Sequence, residues 1–538
     1  MTDVEPISDL PKKNGSDVSI LEEVPAVGAP RAANPEEKQA RLDAALEVDP
    51  GVQAWTIRAF QFWLVVLCAC CCSGDNGFDG TVMGSVNALH QYQKYFGMTG
   101  AGKSTSVVFG IYTAGSFAAA LPASYFPDKF GRRVAMAIGN SITIAGAIIT
   151  ATATNKSAFI GGRFMTGMGT ATAQAGAKAY LAEITPPKSR GFFLGFLNSF
   201  FYVGQILATG ILVGTQKWEN DWSWRVPLFI QMVPAALNLF FIFLCPESPR
   251  WLYTVGKSDK ARRTLAKLHS STNDPNSPLV DVEMDEIEET IELSGSDKHW
   301  WDYRPLFRTK ADRYRGFTIM MMGSFGQLAG NNLITYFLPV LLGNAGITNQ
   351  TKKLTLTFVN SITSAAGALT GSAIVDRVGR RRLLLSCMCA CVVCLAIVTG
   401  LLSGDTSNAT RSNAGISFIY LFMVCYSFGW TPMQGIYATE ILSYETRAKG
   451  LALVNIVSQC AGLINTFALP IALEKITWKV YVIFLVWDVV EVIVLWAFMV
   501  ETKGLTLEEI EGIFAQPNPR KYSLELRAKT KTSKLGRV

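Results

Sequence analysis

Hydrophobic segments recur along nearly the whole chain and are separated by short polar stretches. Each segment is long enough for the roughly 20 residues that a spanning helix needs. The pattern therefore predicts an all-α polytopic membrane protein with twelve spans, near 57–75 (continuing to 86), 106–126, 134–154, 158–182, 192–214, 225–245, 316–342, 353–375, 383–403, 415–436, 448–473 and 479–499.

The charged blocks at the ends of these segments occur twice, in the same order in each half of the chain. An Asp-x-x-Gly-Arg-Arg block starts at Asp128 and again at Asp376, and Tyr-x-x-Glu followed by arginine occurs at 180–190 and at 437–447. A duplicated six-span unit explains this order, and pseudo-symmetric halves are typical of secondary transporters. The pattern indicates movement of a solute and suggests no covalent chemistry, so we do not expect an enzyme.

The remaining stretches divide the chain further. The polar ends and one long polar interruption predict five parts: a disordered cytosolic N-terminal tail (1–55), an N-terminal six-helix half (56–249), a cytosolic loop with short amphipathic helices (250–315), a C-terminal six-helix half (316–500) and a cytosolic C-terminal tail (501–538).

Composition agrees with a membrane protein. Hydrophobic residues make up 49% of the chain and charged residues only 17%, against about 25% in soluble domains. The net charge of +7 falls mostly in short loops, as the positive-inside rule expects, and a nucleic-acid binder would cluster it on one face. The 11 cysteines lie inside apolar runs and suit packing, so neither a metal site nor a cofactor is predicted.

The basic loops also predict the topology. With both termini in the cytosol, the arginine-rich turns lie inside, as they should. The N-glycosylation sequons at Asn155, Asn349 and Asn408 then fall in outside loops, although a further one at Asn14 falls in the cytosolic tail. We expect a multi-pass protein of the plasma membrane.

Two charged residues inside spans are candidates for proton coupling. Asp79 lies toward the far end of the first span, and Arg163 is the only base inside the first-half spans that could pair with it at mid-membrane depth. Burial favours the protonated carboxyl and a nearby arginine favours the charged one, so a pair that makes and breaks would be a switchable proton site. A static ion pair is the alternative, and Asp75, one helical turn earlier, is the second candidate.

The duplicated charged blocks are candidates for a cytosolic gate. Arginines of the tight turns can pair with carboxylates at the cytosolic ends of other spans, locking the inner gate in one state and releasing it in the other. The alternative is that they only fix topology. The predicted gate residues are Asp128, Arg132, Arg133, Glu183, Arg190, Glu247, Asp376, Arg380, Arg381, Glu440, Arg447 and Glu501.

Neutral polar side chains within the spans are candidates for the cargo site. Amides both donate and accept hydrogen bonds, which suits sugar hydroxyls, and tyrosine and tryptophan offer an apolar face to sugar C–H groups. The alternative is that single amides only bond helix to helix. The predicted substrate-binding residues are Asn198, Gln205, Gln327, Asn331, Asn332, Tyr336, Ser364, Trp430 and Asn465.

As a set, these motifs resemble the sugar porter family of the major facilitator superfamily, over roughly residues 55–515. The set is Gly162-Arg163-x-x-x-Gly167, the two Asp-x-x-Gly-Arg-Arg blocks, Pro246-Glu247-Ser248-Pro249-Arg250, Gln327-x-x-Gly330-x-Asn332 and Glu501-Thr502-Lys503-Gly504. The first span, with Gly77-Phe78-Asp79-Gly80, is similar to those of fungal sugar–proton symporters of the hexose and lactose permease type.

This resemblance implies two six-helix halves around a central cavity, alternating access and an intracellular helical bundle at 250–315. It puts Gln205, Gln327, Asn332 and Tyr336 on sugar-binding positions and matches Asp79 and Arg163 to the coupling pair of proton-driven members. The chain departs from the pattern at Gly326, where a second glutamine is common, and at Gly435, where hexose carriers have a tryptophan.

The sequence thus predicts proton-coupled transport of a mono- or disaccharide by alternating access, with the sugar, protons and the lipid bilayer as partners. Two alternatives remain open: transport, or export, of a non-sugar polar metabolite, and a sugar sensor that does not translocate. Sensors of that type usually carry very long cytosolic C-terminal tails, and the short tail here favours transport.

Overall fold

The computed structural model describes residues 35–53, 56–186, 189–295, 303–403, 409–442, 446–503, 505 and 507–526. Within these ranges the chain forms helices and no strand. The helices up to the first long polar interruption are α1 Pro35–Val48, α2 Ile57–Val86, α3 His90–Phe96, α4 Lys103–Ala118, α5 Ala120–Phe130, α6 Arg132–Thr152, α7 Lys156–Ile184, α8 Arg190–Thr215, α9 Trp222–Ile230 and α10 Met232–Phe241.

Short helices follow, and then the second set of long ones. The interruption holds α11 Pro249–Thr254, α12 Ser258–His269, α13 Pro278–Gly295 and a 3₁₀ turn at Arg304–Phe307. The second half consists of α14 Lys310–Leu328, α15 Asn331–Asn344, α16 Gln350–Val378, α17 Arg380–Leu402, α18 Ala409–Ile441, α19 Arg447–Ile476 and α20 Lys479–Phe498, with α21 Leu507–Ala515 after it.

The predicted twelve spans and two six-helix halves are confirmed. By length and hydropathy alone, nine helices of the described ranges qualify as membrane spans, with α9 and α10 counted as one. The other three positions are α4–α5, α7 and α14–α15. The helix α7 is 29 residues long but rich in glycine and threonine, and the other two are divided into shorter helices.

The seventh span is broken at a glycine. Gly330 has a φ of 88°, a left-handed conformation that favours glycine, and it separates α14 from α15. Gly326, four residues earlier, stays within α14. The break lets the amides of Gln327 and Asn332 face each other, although an unbroken helix would turn them well apart.

The two halves meet along four helix pairs, α4 with α19, α8 with α16, α2 with α15 and α8 with α18. At the first contact, the Ser106 hydroxyl donates to the Phe467 carbonyl at 2.5 Å. At the second, the Thr209 hydroxyl is 3.3 Å from Ser361 Oγ. At the third, a β-carbon on Gly84 would stand 2.6 Å from the Tyr336 carbonyl oxygen, so glycine is what allows α15 to come this close.

The short amphipathic helices expected between the halves are present. Leu265 of α12 and Ile287 of α13 are buried in a small cluster of their own, with Leu252, Ala261, Ala266, Val280 and Met284. We call α11–α13 the bundle. Its apolar stripe turns inward because the opposite faces carry the charged residues.

One expectation about the N-terminal tail is wrong. Pro35–Val48 is a helix, and Asp49 after it is only 4% exposed. The Asp49 carboxylate accepts hydrogen bonds from the Ser271 N–H at 2.9 Å and the Ser277 hydroxyl at 2.6 Å. These tertiary bonds to the bundle hold a segment whose composition suggested disorder. Residues 1–34 and 527–538 lie outside the described residues.

Candidate substrate and proton sites

A buried ion pair joins α2 and α7. Arg163 Nη1 is 2.5 Å from Asp79 Oδ1, and the two side chains are 2% and 0% exposed. The guanidinium also lies 4.7 Å from the ring centre of Tyr112 on α4. The second carboxylate oxygen of Asp79 has no hydrogen-bond partner within the described ranges. The two residues selected from the sequence are therefore in contact, in surroundings where a free charge is costly.

A polar chain that sequence reasoning missed extends from this pair. The Tyr112 hydroxyl donates to Asn76 Oδ1 at 3.2 Å and lies 3.1 Å from Thr170 Oγ1. The Asn76 amide donates in turn to Gln174 Oε1 at 3.0 Å. These residues come from three different helices, so only the packing of α2, α4 and α7 reveals the chain.

Asp75, the second candidate for proton coupling, is also buried. It is 0% exposed, and neither of its carboxylate oxygens has a partner among the described residues. Unlike Asp79, it faces no base close enough to form an ion pair in the described structure.

The predicted amides of the seventh span form one cluster around its break. The Asn332 amide donates to Gln327 Oε1 at 3.1 Å and to the Gln327 carbonyl at 3.2 Å. The Asn331 amide donates to Asn332 Oδ1 at 3.3 Å, and Asn465 of α19 donates to the Gln327 carbonyl. Four of the nine predicted cargo residues therefore meet at one place.

Four others line the contacts between the halves. Gln205 on α8 and Ser364 on α16 are 2% and 0% exposed, and Gln205 Oε1 and Ser364 Oγ have no partner in the described structure. Tyr336 on α15 packs against Phe109 of α4 and lies near enough to Asp79 and Arg163 to interact with them electrostatically. Asn198 Nδ2 lies 2.9 Å from where a β-carbon on Gly435 would stand.

Trp430 does not join the amide cluster. Its indole N–H donates to Met388 Sδ at 2.9 Å, and its ring is fully buried and stacks on Tyr426. The polar edge of the indole thus points at α17, inside the C-terminal half. The expectation that the polar edge of Trp430 meets the cargo does not fit this structure, because the rotation of α18 turns the indole N–H toward Met388.

The gate residues of the first half connect α5, α6, α7 and the segment after α10. Arg132 Nη2 is 2.8 Å from Glu183 Oε1 and 3.2 Å from Asp128 Oδ1. Arg133 instead donates to two backbone carbonyls, those of Ile242 at 3.0 Å and of Phe243 at 2.5 Å. The first arginine of the turn is thus an ion-pair partner, and the second holds the end of α10.

The second half repeats this arrangement. Arg380 donates twice to Glu440, from Nη2 at 2.6 Å and from Nε at 3.1 Å. Arg381 donates to the carbonyls of Met499 at 2.5 Å and Trp496 at 2.7 Å, near the end of α20. The duplicated sequence blocks therefore build duplicated contacts. Each of these contacts joins two elements of the same half, and none of them connects one half to the other.

Glu247 and Glu501 lie at the starts of α6 and α17. Glu501 Oε1 accepts from the Arg380 backbone N–H at 2.9 Å, at the start of α17, where the helix dipole favours an anion. Glu247 lies in the same position at the start of α6. Burial raises the pKa of the Glu247 carboxyl, and backbone N–H groups at Ser248, Arg133 and Arg132 oppose that shift.

Three further gate predictions have less structural support. Arg190, at the start of α8, lies among Arg250, Glu283 and Glu286 of the bundle and Glu183 of α7. Asp376 and Arg447 belong to α16 and α19, but their side chains lie outside what the structure describes.

Two of the three sequons lie at the same end of the molecule. Asn155 Oδ1 accepts from the Ala158 N–H at 2.8 Å, and Asn349 Oδ1 accepts from the Lys352 N–H at 3.1 Å, so each begins a helix. The short helix α3 contacts both starting regions, Phe159 through its aromatic rings and Gln350 through the His90 N–H. Asn408 lies outside the described residues, and glycosylation at all three stays a prediction.

Two carboxyl groups in α20 went unnoticed in the sequence. Asp488 and Glu491 are both 0% exposed, although their span reads as an apolar run from 479 to 499. The available signal was the presence of two acids three residues apart, on one helix face, in a run whose only base, Lys479, stands at its start. No group of three or more His, Cys, Asp or Glu side chains in the described ranges is arranged to hold a metal ion.

The comparison with known proteins agrees with this geometry. The chain matches the family described as "Sugar (and other) transporter" over residues 65–514, and it belongs to this family of major facilitator transporters. It is accordingly a multi-pass membrane protein whose relatives are named as transporters and not as enzymes.

Individual relatives cover most of the chain. It is 28% identical over 485 residues to the high-affinity glucose transporter of Kluyveromyces lactis, with 86% of each chain covered. It is 27% identical over 440 residues to the MFS-type transporter criB of Aspergillus cristatus, with 82% of this chain and 89% of the relative covered. Among solved structures, the proton:xylose symporter XylE from E. coli matches with a TM-score of 0.68 and 20% identity, over 85% of this chain and 100% of that one. This last likeness shows the fold.

Proposed function

We propose that this protein is a proton-coupled transporter that carries a mono- or disaccharide across the plasma membrane by alternating access. The observation that carries the proposal is the buried Asp79–Arg163 pair, which lies beside Tyr336 of the broken seventh span. A proton arriving at Asp79 would neutralise the carboxylate and free Arg163, so protonation and the position of α15 would be linked through that contact.

The cargo side of the proposal rests on the amide cluster. Gln327 accepts hydrogen bonds from the amides of Asn332 and Asn465, and Gln205 Oε1 and Ser364 Oγ are buried polar atoms that could still accept. A sugar presents hydroxyls that both donate and accept, which matches such a set. The hydrogen bonds described within the cluster include no arginine or lysine, so a neutral cargo suits it better than an anion.

One observation supports a second class of cargo, a neutral polar metabolite other than a hexose. Asn198 occupies the space beside Gly435, where hexose carriers that the chain resembles have a tryptophan, and Trp430 points its polar edge elsewhere. The aromatic platform for a pyranose ring would then be absent at this position, and an amide would take its place.

An uptake panel tests the proposal and separates the alternatives. In transporter-deficient cells, we expect uphill accumulation of at least one sugar, with alkalinisation of the medium when that sugar is added. Asp79→Asn should abolish both and leave downhill exchange, whereas Asp221→Asn, the same change at an exposed loop position, should leave both intact. Accumulation of a polyol and of no sugar would favour the second cargo class. Binding without uptake would favour a sensor, and undiminished accumulation by Asp79→Asn would contradict the role of Asp79.

A further inference from the structure

The acids of α20 form a second buried pair, in the opposite half of the molecule from Asp79. Glu491 Oε1 accepts from the Trp487 indole N–H at 2.5 Å, and its other oxygen has no partner among the described residues. Both oxygens of Asp488 are likewise without a partner in the described ranges. Two carboxyl groups are therefore enclosed, and in the described ranges they accept a single hydrogen bond, the one from Trp487 to Glu491.

No cation compensates this pair within the described structure. The titratable groups facing it are the Cys391 thiol on α17 and the Tyr426 hydroxyl on α18, with Cys387, Cys394 and Cys425 around them. The charged residues of α17 and α14 lie at the starts of those helices (380–382 and 310–315), and the base of α20 is Lys479 at its own start. Those of α19 lie near its ends (447, 449, 474 and 475). An isolated buried carboxylate is costly, so enclosure in this conformation favours the protonated form of both groups.

The pair lies directly behind the break in the seventh span. Trp487, which bonds Glu491, packs edge-on against Phe325 of α14 with ring centres 6.1 Å apart. Phe484, one turn before Asp488, lies within 3.4 Å of where a β-carbon on Gly330 would stand. The face of α20 that carries the acids thus supports both sides of the break.

Tyr426 gives a second connection to the same stretch. Its hydroxyl donates to the Gly326 carbonyl at 2.5 Å, immediately before Gln327, and accepts from the Gln434 amide at 3.4 Å. Tyr426 lies near enough to both acids to interact with them electrostatically, so a negative charge on either of them would act on the group that holds this carbonyl.

We propose that Asp488 and Glu491 form a second proton-binding site, and that its ionisation loosens the break between α14 and α15. Neutral acids can be enclosed behind Phe325 and Gly330, but a charged carboxylate would draw water into that contact and separate α20 from the broken span. This span carries the amide cluster, so the proton site would influence cargo binding. The inference rests on the proposed transport cycle but not on Asp79 being the coupling residue.

The first measurement asks whether the pair is protonated, and it needs no cargo. Infrared spectra of the purified full-length protein in nanodiscs at neutral pH should show the C=O band of protonated carboxyls. Asp488→Asn and Glu491→Gln should each remove part of that band. The matched control, Glu219→Gln with Asp221→Asn, makes the same two changes at exposed positions and should remove none of it. If neither α20 variant weakens the band, the pair is charged and the proposal fails.

The second measurement asks whether ionisation affects the break. Hydrogen exchange of backbone amides at 326–332, normalised to a helical stretch of the first half, should rise about tenfold over the alkaline pH range in which the band disappears. The Asp488→Asn, Glu491→Gln double variant cannot ionise there, and it should keep exchange low across that range. A rise that persists in this double variant, or no rise in wild type, would show that the pair is only structural. Asp79→Asn should retain the rise, so failure of this inference and failure of Asp79 coupling give different results.

Discussion

The Asp79–Arg163 pair permits a double-mutant test of whether the two residues act as one unit. Asp79→Asn removes the negative charge and leaves Arg163 in a site where its side chain is 2% exposed. Removing one partner of a buried pair costs about 3–5 kcal/mol, because the other charge stays uncompensated. The Tyr112 ring, already 4.7 Å from the guanidinium in the wild-type pair, remains as a partner for the uncompensated charge. We therefore expect a net loss near the lower limit, about 3 kcal/mol.

The double variant Asp79→Asn, Arg163→Gln should be more stable than Asp79→Asn alone, since neutral amides of similar size can hydrogen-bond in the same space. Fluorescence-detected size-exclusion chromatography after heating would measure this, and a loss of about 3 kcal/mol should lower the transition by roughly 5–10 °C. The double variant should regain most of that loss but not uphill accumulation. If Arg163→Gln makes Asp79→Asn less stable instead, the two residues are not an ion pair and the reasoning is refuted.

Three further predictions address other parts of the molecule. Gln327→Ala should raise the half-saturation concentration for the cargo roughly 5- to 150-fold, the equivalent of about 1–3 kcal/mol for an unpaired buried group, and unchanged affinity for every sugar in an uptake panel would argue against the amide cluster as the cargo site. Glu440→Gln should cost about 1 kcal/mol, since the pair with Arg380 is partly exposed. Because that contact lies within one half, cysteine labelling from either side should not change, and increased labelling from the cytosolic side would instead favour a gate that opens and closes. Burial alone would lower the pKa of His269, but Glu283 at 2.5 Å and the Ile184 carbonyl raise it overall. Its stabilising effect is therefore present at acid pH and lost as pH rises through the raised pKa, so hydrogen exchange of 258–295 should increase toward alkaline pH in wild type and less so in His269→Gln.

Much of the architecture could be predicted from the order of residues. The lengths of the apolar runs specify twelve spans, because bilayer thickness sets how many residues a helix needs. The repeated Asp-x-x-Gly-Arg-Arg blocks indicated two related halves, and the structure builds the same contacts from both copies. A carboxylate and an arginine at membrane depth are so costly when unpaired that Asp79 and Arg163 could be matched without coordinates.

Other features were decided only by tertiary structure. Arg132 and Arg133 are adjacent and chemically identical, yet one meets Glu183 and the other meets the carbonyls that end α10, because successive helical residues point in different directions. Trp430 turns its indole N–H into the C-terminal half, whereas Gly435 lies beside Asn198 of the other half. The rotation of α18 decides which of its residues face the other half. Asp488 and Glu491 could be read as polar interruptions in an apolar run, and nothing local distinguishes a lipid-facing acid from an enclosed one. Burial and partnership depend on residues far away in the chain, so only the packed helices could show which polar groups are paired and which are not.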